Sequence, residues 1–462
     1  MDHQFDRQRE IKRAGRRLSR LGLAIARLRR AVRGLLWSLL RLISGFKRAV
    51  DFCLAALLLT LVAPIFACLW MLSSDSSKML KRTPRSGRWG KVFFEYAFDP
   101  DGFAEVDGLL RVGLRRLPVL LNILAGDMAF VGPRAVAPEE LSPRDRLARR
   151  RYAVRPGLIC LWWLRQRANI PFDGEASADA DYVKTPSLRN DLGIVLRALP
   201  AVFMGTSPVV ADDRVDVLGI EIDNLTMNEA LTAILAAMQR PEPSQVCFVN
   251  ADCANIACRD AAYRQVLEGA ALTLADGIGM RLAGKILSRP IRENVNGTDL
   301  FPRLSSSLSQ SGQGLYLLGG RPGIAERVAE WLQEHYPQLV VSGVHHGYFS
   351  AAEEPEVIAE IARSGAAVLL VAFGAPRQDQ WLARNLSATG VRVAMGVGGL
   401  FDFYSGNVPR APLWMREVNA EWLYRFWQEP RRMWKRYFLG NGVFITRVIR
   451  QSWRRGWSQD HD

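Results

Sequence analysis

From about residue 217 onward the apolar residues fall into two alternating rhythms. Short β-type runs at VDVLGIEI (215–222), VCFVN (246–250), ALTLAD (271–276), LYLLGG (315–320), LVVSGV (339–344), AVLLVAFG (367–374) and VRVAMGVGG (391–399) predict strands. Between them MNEALTAILAAMQ, DAAYRQVLEG, TDLFPRLSSSLSQ, GIAERVAEWLQEHY, EPEVIAEIARSG and RQDQWLARNL carry apolar positions three and four apart, which predicts amphipathic helices. Strands that alternate with helices predict an α/β fold, a mainly parallel sheet of Rossmann-like type covered on both faces. Such sheets take ligands beyond the carboxyl ends of their strands.

The front of the chain has a different texture. CLAALLLTLVAPIFACLWML, residues 53 to 72, holds no charge over a length that would cover roughly 30 Å as a helix. Lys47 and Arg48 precede it, while Lys78, Lys81, Arg82, Arg85 and Arg88 follow, so both flanks favour the cytoplasmic side. Pro64 interrupts helical hydrogen bonding near its middle. A re-entrant hairpin fits these facts better than a single span. Residues 21–46 interleave Leu, Ile and Trp37 with arginines, as an interfacial helix on anionic membrane lipid would. GTSPVVADDR, residues 205–214, reads as a linker. The expected organisation is a basic membrane-surface segment (1–50), a membrane-associated α-rich module (51–205), a linker (206–216), the α/β domain (217–415) and a basic, aromatic appendage (416–462).

Charge sharpens this picture. The 462 residues carry a formal charge of +15, and the first fifty alone hold 14 Lys or Arg against three acids. An arginine-rich arm could also bind nucleic acid, but its junction with an apolar run selects lipid, and no nucleic-acid partner is expected. Six cysteines form no CxxC pair, and five histidines show no metal-ligand spacing. Neither metal nor cofactor is expected; His345 and His346 read as the end of a strand.

From Phe46 to about Gly205 the chain resembles the bacterial sugar transferases, polyprenyl-phosphate phosphoglycosyltransferases that begin exopolysaccharide and capsule repeat units. The resemblance is carried by FKRAVDFCLAALLLTLVAPIF, LPVLLNILAGDMAFVGPR, YAVRPGLICLWWLRQR and ADADYVKTPSLRNDLGIVLRAL. In that family an acidic pair precedes the LPxL strip and supplies the nucleophile; here Arg115 and Arg116 stand in its place. A protonated guanidinium cannot attack phosphorus. A further departure is EYAFDP (95–100) where the family has KFRTM. Asp99, Asp101, Glu105 and Asp107 are the nearby acids that could substitute, and Asp127 and Arg134 persist. The module is expected to be catalytically silent and to serve as a membrane anchor.

Residues 217 to about 440 resemble the WecG/TagA/CpsF glycosyltransferases, through FVNADCANIA, LADGIGM, NGTDL, LYLLGG, GYF, FGAPRQDQW, GVGGLFDFYSG, RAP and EWLYRFWQEPRRMWKRY. The resemblance implies an inverting transfer from a UDP-sugar donor to a polyprenyl-diphosphate-linked acceptor, without metal. Asp276 matches the family's proposed general base, a role suited to a carboxylate at a strand end. Asn250 and Asp252 fall where a better-known version has Thr and Asn, and are expected to contact sugar. Asn296, Gly297, Thr298 and Asp299 match a pocket loop, Thr298 being also a candidate helix cap. Gly319, Gly320, Gln378 and Arg410 complete the expected binding set. Arg425 and Arg432, with Lys435 and Arg436 beside them, are expected to offset charge on the departing diphosphate. The pathway implied is polysaccharide assembly at the cytoplasmic face of the bacterial inner membrane, alongside other polysaccharide-assembly enzymes. The rival readings are a bifunctional enzyme and a non-enzymatic membrane scaffold.

Overall fold

A computed structural model describes residues 45–64, 66–67, 80–99, 114–140, 148–167, 174–184, 187–203, 212–418, 420–434 and 439–459. The chain forms two compact units, one of residues up to Leu161 plus Glu175–Val195, the other of Trp162–Gly174 plus Leu196 onward.

In the first unit helix α1 covers 45–64. Strands β1 (Leu80–Ser86) and β2 (Val92–Phe98) pair antiparallel, Leu80 opposite Phe98. Helix α2 (Val119–Ala125) follows, then β3 (Ala129–Val131), which pairs parallel with β4 (Gly157–Ile159). Asn122 explains why α2 lies on β2: buried, its amide accepts from Tyr96 N at 3.0 Å and donates to Phe94 O at 2.7 Å. Ala55, Phe93, Val119, Leu120, Ile123 and Met128 form the core around this junction. The opposite face of α1 leaves Phe46, Val50, Leu54, Leu57 and Leu61 exposed at helical spacing. The four strands were not foreseen in a module expected to be α-rich. Of the proposed membrane segment, 53–64 and 66–67 are helical; the remainder, and the basic stretch 1–44, lie outside the described residues. Among the described residues no helix is long and apolar enough to cross a membrane.

The chain then runs through α3 (Leu161–Arg167), α4 (Glu175–Lys184) and α5 (Leu188–Phe203). The second unit is built on an eight-stranded sheet: β5 (Arg214–Val217), β6 (Ile220–Asp223), β7 (Ser244–Val249), β8 (Leu272–Ala275), β9 (Gly314–Gly319), β10 (Val340–His345), β11 (Val368–Ala372) and β12 (Val393–Gly396), in the order β10-β9-β11-β12-β7-β8-β6-β5. All neighbours pair parallel except the β5–β6 hairpin at one edge. The expectation of one strand over 215–222 is corrected here. Leu218 and Gly219 both adopt positive φ, 57° and 82°, and turn the run back on itself as a two-residue hairpin loop does.

Helices cover both faces: α6 (Met227–Ala237), α7 (Ala251–Ala257), α8 (Ala261–Glu268), α9 (Ile278–Ile286), α10 (Gly297–Ser311), α11 (Ile324–His335), α12 (Glu354–Arg363) and α13 (Arg377–Thr389). Alternate strand residues serve opposite cores. Val246, Phe248, Leu315 and Leu317 pack on one side; Cys247 and Val249, and Tyr316 and Leu318, pack in two clusters on the other. After β12 come short helices α14 (Leu400–Tyr404), α15 (Leu413–Glu417), α16 (Glu421–Gln428) and α17 (Pro430–Trp434), and the long α18 (Asn441–Gln459). Helix α18 is built into the domain: Phe444 and Val448 are fully buried against the α7 and α9 side of the sheet. Arg447 donates to Asn255 Oδ1 at 2.8 Å, and Gln451 accepts from Leu218 N at 2.9 Å.

Candidate functional site

Seven parallel strands, β6 to β12, bring their carboxyl ends to one edge of the sheet, and Asn250, Asp276, Gly319 and Gly320 end strands or follow directly from them there. Chain order identifies a reversal there. From β9 the chain passes outward to β10, whereas from the adjacent β11 it passes the other way to β12, so a crevice is expected between them. Gly319 and Gly320 end β9, both at positive φ, and Gly320 N bonds Ala372 O of β11 at 3.2 Å. A Cβ on Gly319 would lie 2.7 Å from Ala372 backbone, so only glycine permits this approach.

Asp276 lies directly after β8, half-buried, with its amide bonded to Val249 O at 2.8 Å. Its neighbour across the sheet edge is Asn250, which ends β7. The Asn250 amide oxygen caps α7 by accepting from Asp252 N and Cys253 N at 3.0 and 3.1 Å. Its amide nitrogen then points to Asp276 Oδ2 at 3.5 Å. Gly277, at φ 90°, turns the chain away into α9, and Asn294 Oδ1 fixes that turn by accepting from Gly277 N at 2.6 Å. Sequence reasoning missed Asn294, although an Asn two residues before the NGTDL block was the available signal. Asp252, on the first turn of α7, is half-buried.

The pocket-loop residues divide into structural roles. Asn296, not Thr298, caps α10: its side chain accepts from Asp299 N at 2.8 Å and donates to Asp299 Oδ2 at 2.8 Å. Thr298 accepts at its carbonyl from Tyr404 OH at 2.8 Å, and Gly297 packs beside the Phe248 ring. Asp299 is buried and ion-paired to Arg410, which also reaches Glu421 Oε1 at 3.3 Å. Despite burial, the two carboxylates hold the Arg410 guanidinium more firmly protonated than usual.

Gln378 is also largely internal. Its Oε1 accepts from Gly374 N at 3.0 Å and Gly398 N at 2.9 Å, clamping together the loops after β11 and β12. Beside it Asp379 is buried under the same loops, and burial pushes its carboxyl up to about 7 although Tyr263 OH donates to Oδ2 at 3.0 Å. Its Oδ1 lies 2.3 Å from the place where a Cβ on Gly396 would sit. Arg425, on α16, stands over the β12 loop. Its Nη2 is 2.9 Å from the Cβ position of Gly399, and its guanidinium lies 5.5 Å from the Phe403 ring centre.

Arg432 is on α17, but its side chain, like all of Lys435 and Arg436, lies outside the described residues. Trp414, Trp422, Trp427 and Trp434 in this region are exposed. His345 ends β10, its ring bonded to His346 O at 2.7 Å. Among the described residues no group of three or more His, Cys, Asp or Glu side chains converges as a metal site would require.

In the first unit Arg116 donates to Glu95 Oε1 at 3.1 Å, and Arg85 donates to the other oxygen at 2.8 Å. Arg134 pairs with Glu140 and Glu175 at 2.7 and 2.9 Å, and these contacts hold its proton more tightly than usual. Asp99 is described; Asp101, Glu105 and Asp107 lie outside the described residues.

Two stretches of the chain match known families. Residues 106–205 match the family described as bacterial sugar transferase. An N-acetylglucosaminyldiphosphoundecaprenol N-acetyl-beta-D-mannosaminyltransferase of Bacillus subtilis (strain 168) is 29% identical over 215 residues, 46% of this chain and 83% of its own. Proteins of the same name from Staphylococcus aureus strains MRSA252 and MW2 are 29% identical, over 46% and 48% of this chain and 84% and 86% of theirs. Residues 215–458, more than half of the chain, match the glycosyl transferase WecG/TagA/CpsF family, and the chain belongs to that family of glycosyltransferases.

Proposed function

We propose that the second unit is an inverting glycosyltransferase that moves a sugar from a UDP-sugar to a polyprenyl-diphosphate-linked sugar in exopolysaccharide or capsule assembly. The observation that carries this reading is the shared edge. Asp276, at the end of β8, and Arg425, over the loop after β12, both stand at the carboxyl side of one sheet, their strands separated only by β7. With neighbouring strands about 4.8 Å apart, the two strand ends lie roughly 10 Å apart, enough for a hexose between base and cation.

In this mechanism the Asp276 carboxylate takes the proton of the acceptor hydroxyl as its oxygen attacks the anomeric carbon. The bond from that carbon to the diphosphate breaks on the opposite face, inverting the centre, and UDP leaves with the electron pair. Arg425, joined by Arg432, Lys435 and Arg436, stabilises the charge gathering on the diphosphate. Asn250 orients Asp276, and Asp252 remains the candidate sugar contact on α7. Gln378, Asn296, Asp299 and Arg410 shape the pocket by holding its loops, while Gly319 and Gly320 let backbone amides approach the nucleotide. The names of the relatives suggest N-acetylmannosamine as the sugar transferred and N-acetylglucosaminyl-diphosphoundecaprenol as the acceptor.

The first unit serves in this reading as a catalytically silent anchor. The paired Arg116 and Glu95 support that role, because both charges are spent on each other. The exposed apolar face of α1 and the exposed tryptophans of α15–α17 suit attachment to a lipid surface at the cytoplasmic face. Attachment would raise the effective concentration of a lipid-borne acceptor.

The test is transfer from a panel of UDP-sugars, UDP-N-acetylmannosamine first, to a short-chain polyprenyl-diphosphate-N-acetylglucosamine, followed by mass spectrometry. The expected result is one disaccharide product, absent with Asp276→Asn. Transfer that survives Asp276→Asn would overturn the assignment of the base. Release of uridine monophosphate from a UDP-sugar and polyprenyl phosphate would overturn the silence of the first unit.

A further inference from the structure

Helix α15 ends on Glu417, whose side chain is 1% exposed. Both of its oxygens are taken by arginines from far upstream. Arg165, on α3 and itself buried, donates from Nε to Oε1 at 3.3 Å, and Arg197, on α5, donates from Nη1 to Oε2. All three residues belong to the second unit, which includes Trp162–Gly174 and Leu196 onward. Yet Arg165 and Arg197 fall within 106–205, the stretch that matches bacterial sugar transferases. Part of the stretch that matches that family therefore belongs to the unit that carries the eight-stranded sheet.

The place where these arginines act is significant. Glu417 lies four residues before Glu421, the first residue of α16, and Ala420 N bonds Met415 O at 2.8 Å across the intervening turn. On one side the turn is tied to the sheet domain through Arg410, which binds both Asp299 of α10 and Glu421. On the other side Glu417 is its tie to α3 and α5. Helix α16 then holds Arg425 beside Gly399. A carboxylate removed from water keeps its charge cheaply only with such partners, and an ion pair of this kind is sensitive to geometry. Two ties, at Glu417 before the turn and at Glu421 after it, hold the start of α16.

We propose that Arg165 and Arg197 are positioning residues for Arg425: through Glu417 they brace α16 so that its arginine stands over the β12 loop. This inference rests on the role given to Arg425 above. The former sugar-transferase segment thus contributes to sugar transfer by holding a group of the second site in place.

The test uses the full chain with UDP-N-acetylmannosamine and a short-chain polyprenyl-diphosphate-N-acetylglucosamine, together with hydrogen–deuterium exchange of the peptide covering 421–428. Arg197→Ala and Arg165→Ala are expected to raise exchange in that peptide and to lower kcat on the order of tenfold to a hundredfold, with little change in donor KM. Arg197→Lys, which keeps the charge, should restore most of both. Arg425→Ala should lower kcat without raising exchange, and adding Arg197→Ala to it should lower kcat no further. Wild-type exchange in both alanine variants would overturn the brace. If Arg425→Ala itself leaves kcat unchanged, it is the role of Arg425 that fails, and exchange alone decides the brace. Should Arg165→Ala fail to fold, Arg197→Ala and Arg197→Lys carry the test.

Discussion

The strip around Arg116 and the edge around Asp276 treat charge in opposite ways. In the first unit Glu95 is nearly buried and gripped by two guanidinium groups, Arg85 and Arg116, so its carboxylate is not left to attack or to take a proton. In the second unit Asp276 is half-exposed at a strand end, and the neutral amide of Asn250 points to its Oδ2. The comparison teaches that a carboxylate is read for chemistry by what surrounds it. An acid saturated by cations is part of the frame, whereas one at a strand end beside a neutral amide is a candidate for chemistry.

Four substitutions sharpen or break this contrast. The largest effect is expected from Asp276→Asn, which keeps the shape and removes the base; transfer measured by mass spectrometry should fall by about a hundredfold to ten-thousandfold. Retained transfer would erase the distinction between the two acids. Arg425→Ala comes next, with kcat lower by about a hundredfold to a thousandfold if it acts on the leaving diphosphate.

Asp379 supplies a third measure, because it is an acid buried under the loops after β11 and β12, and no cation among the described residues holds it. Its carboxyl stands at about 7 in the fold against 3.8 when exposed. The folded state therefore keeps a proton that the unfolded chain gives up as pH rises from about 4, and stability is lost across pH 4 to 7 by a few kcal/mol. Asp379→Asn should raise Tm at pH 8 and leave it nearly unchanged near pH 4. A Tm difference that does not vary with pH would refute the assignment. The smallest effect is expected from Arg116→Ala. Its side chain is about half exposed, so the pair with Glu95 is worth at most about 1 kcal/mol. Sugar transfer should stay at its wild-type rate in that variant, and a large loss would give the first unit a direct part in the reaction.

Much of the second unit was legible because parallel strands buried on both faces announce themselves as apolar runs, and their ends as glycines. The strands from VCFVN to VRVAMGVGG all lie where the pattern put them. What escaped was set by individual side chains. Nothing in the alternation of VDVLGIEI marks a reversal at Leu218–Gly219, since leucine rarely takes positive φ. The cap of α10 fell to Asn296 because it lies three residues before Asp299, whose amide it accepts; Thr298 is already inside the helix. Helix α9 was missed because IGMRLAGKI is short and holds two glycines. The pairing of Arg410 with Asp299 spans 111 residues and no local pattern reports it. In the first unit the β1–β2 hairpin escaped because LKRTPRS carries three cations, a proline and little alternation.

The burial of Phe444 and Val448 on α18 changes how the far end of the molecule can be dissected. Cutting the chain before α16 would strip a wall from the sheet domain together with its arginines, leaving apolar surface on α7 and α9 open to water. Inactivity in such a shortened protein would report collapse and lost chemistry at once. Point replacements that spare Phe444 and Val448 separate the two.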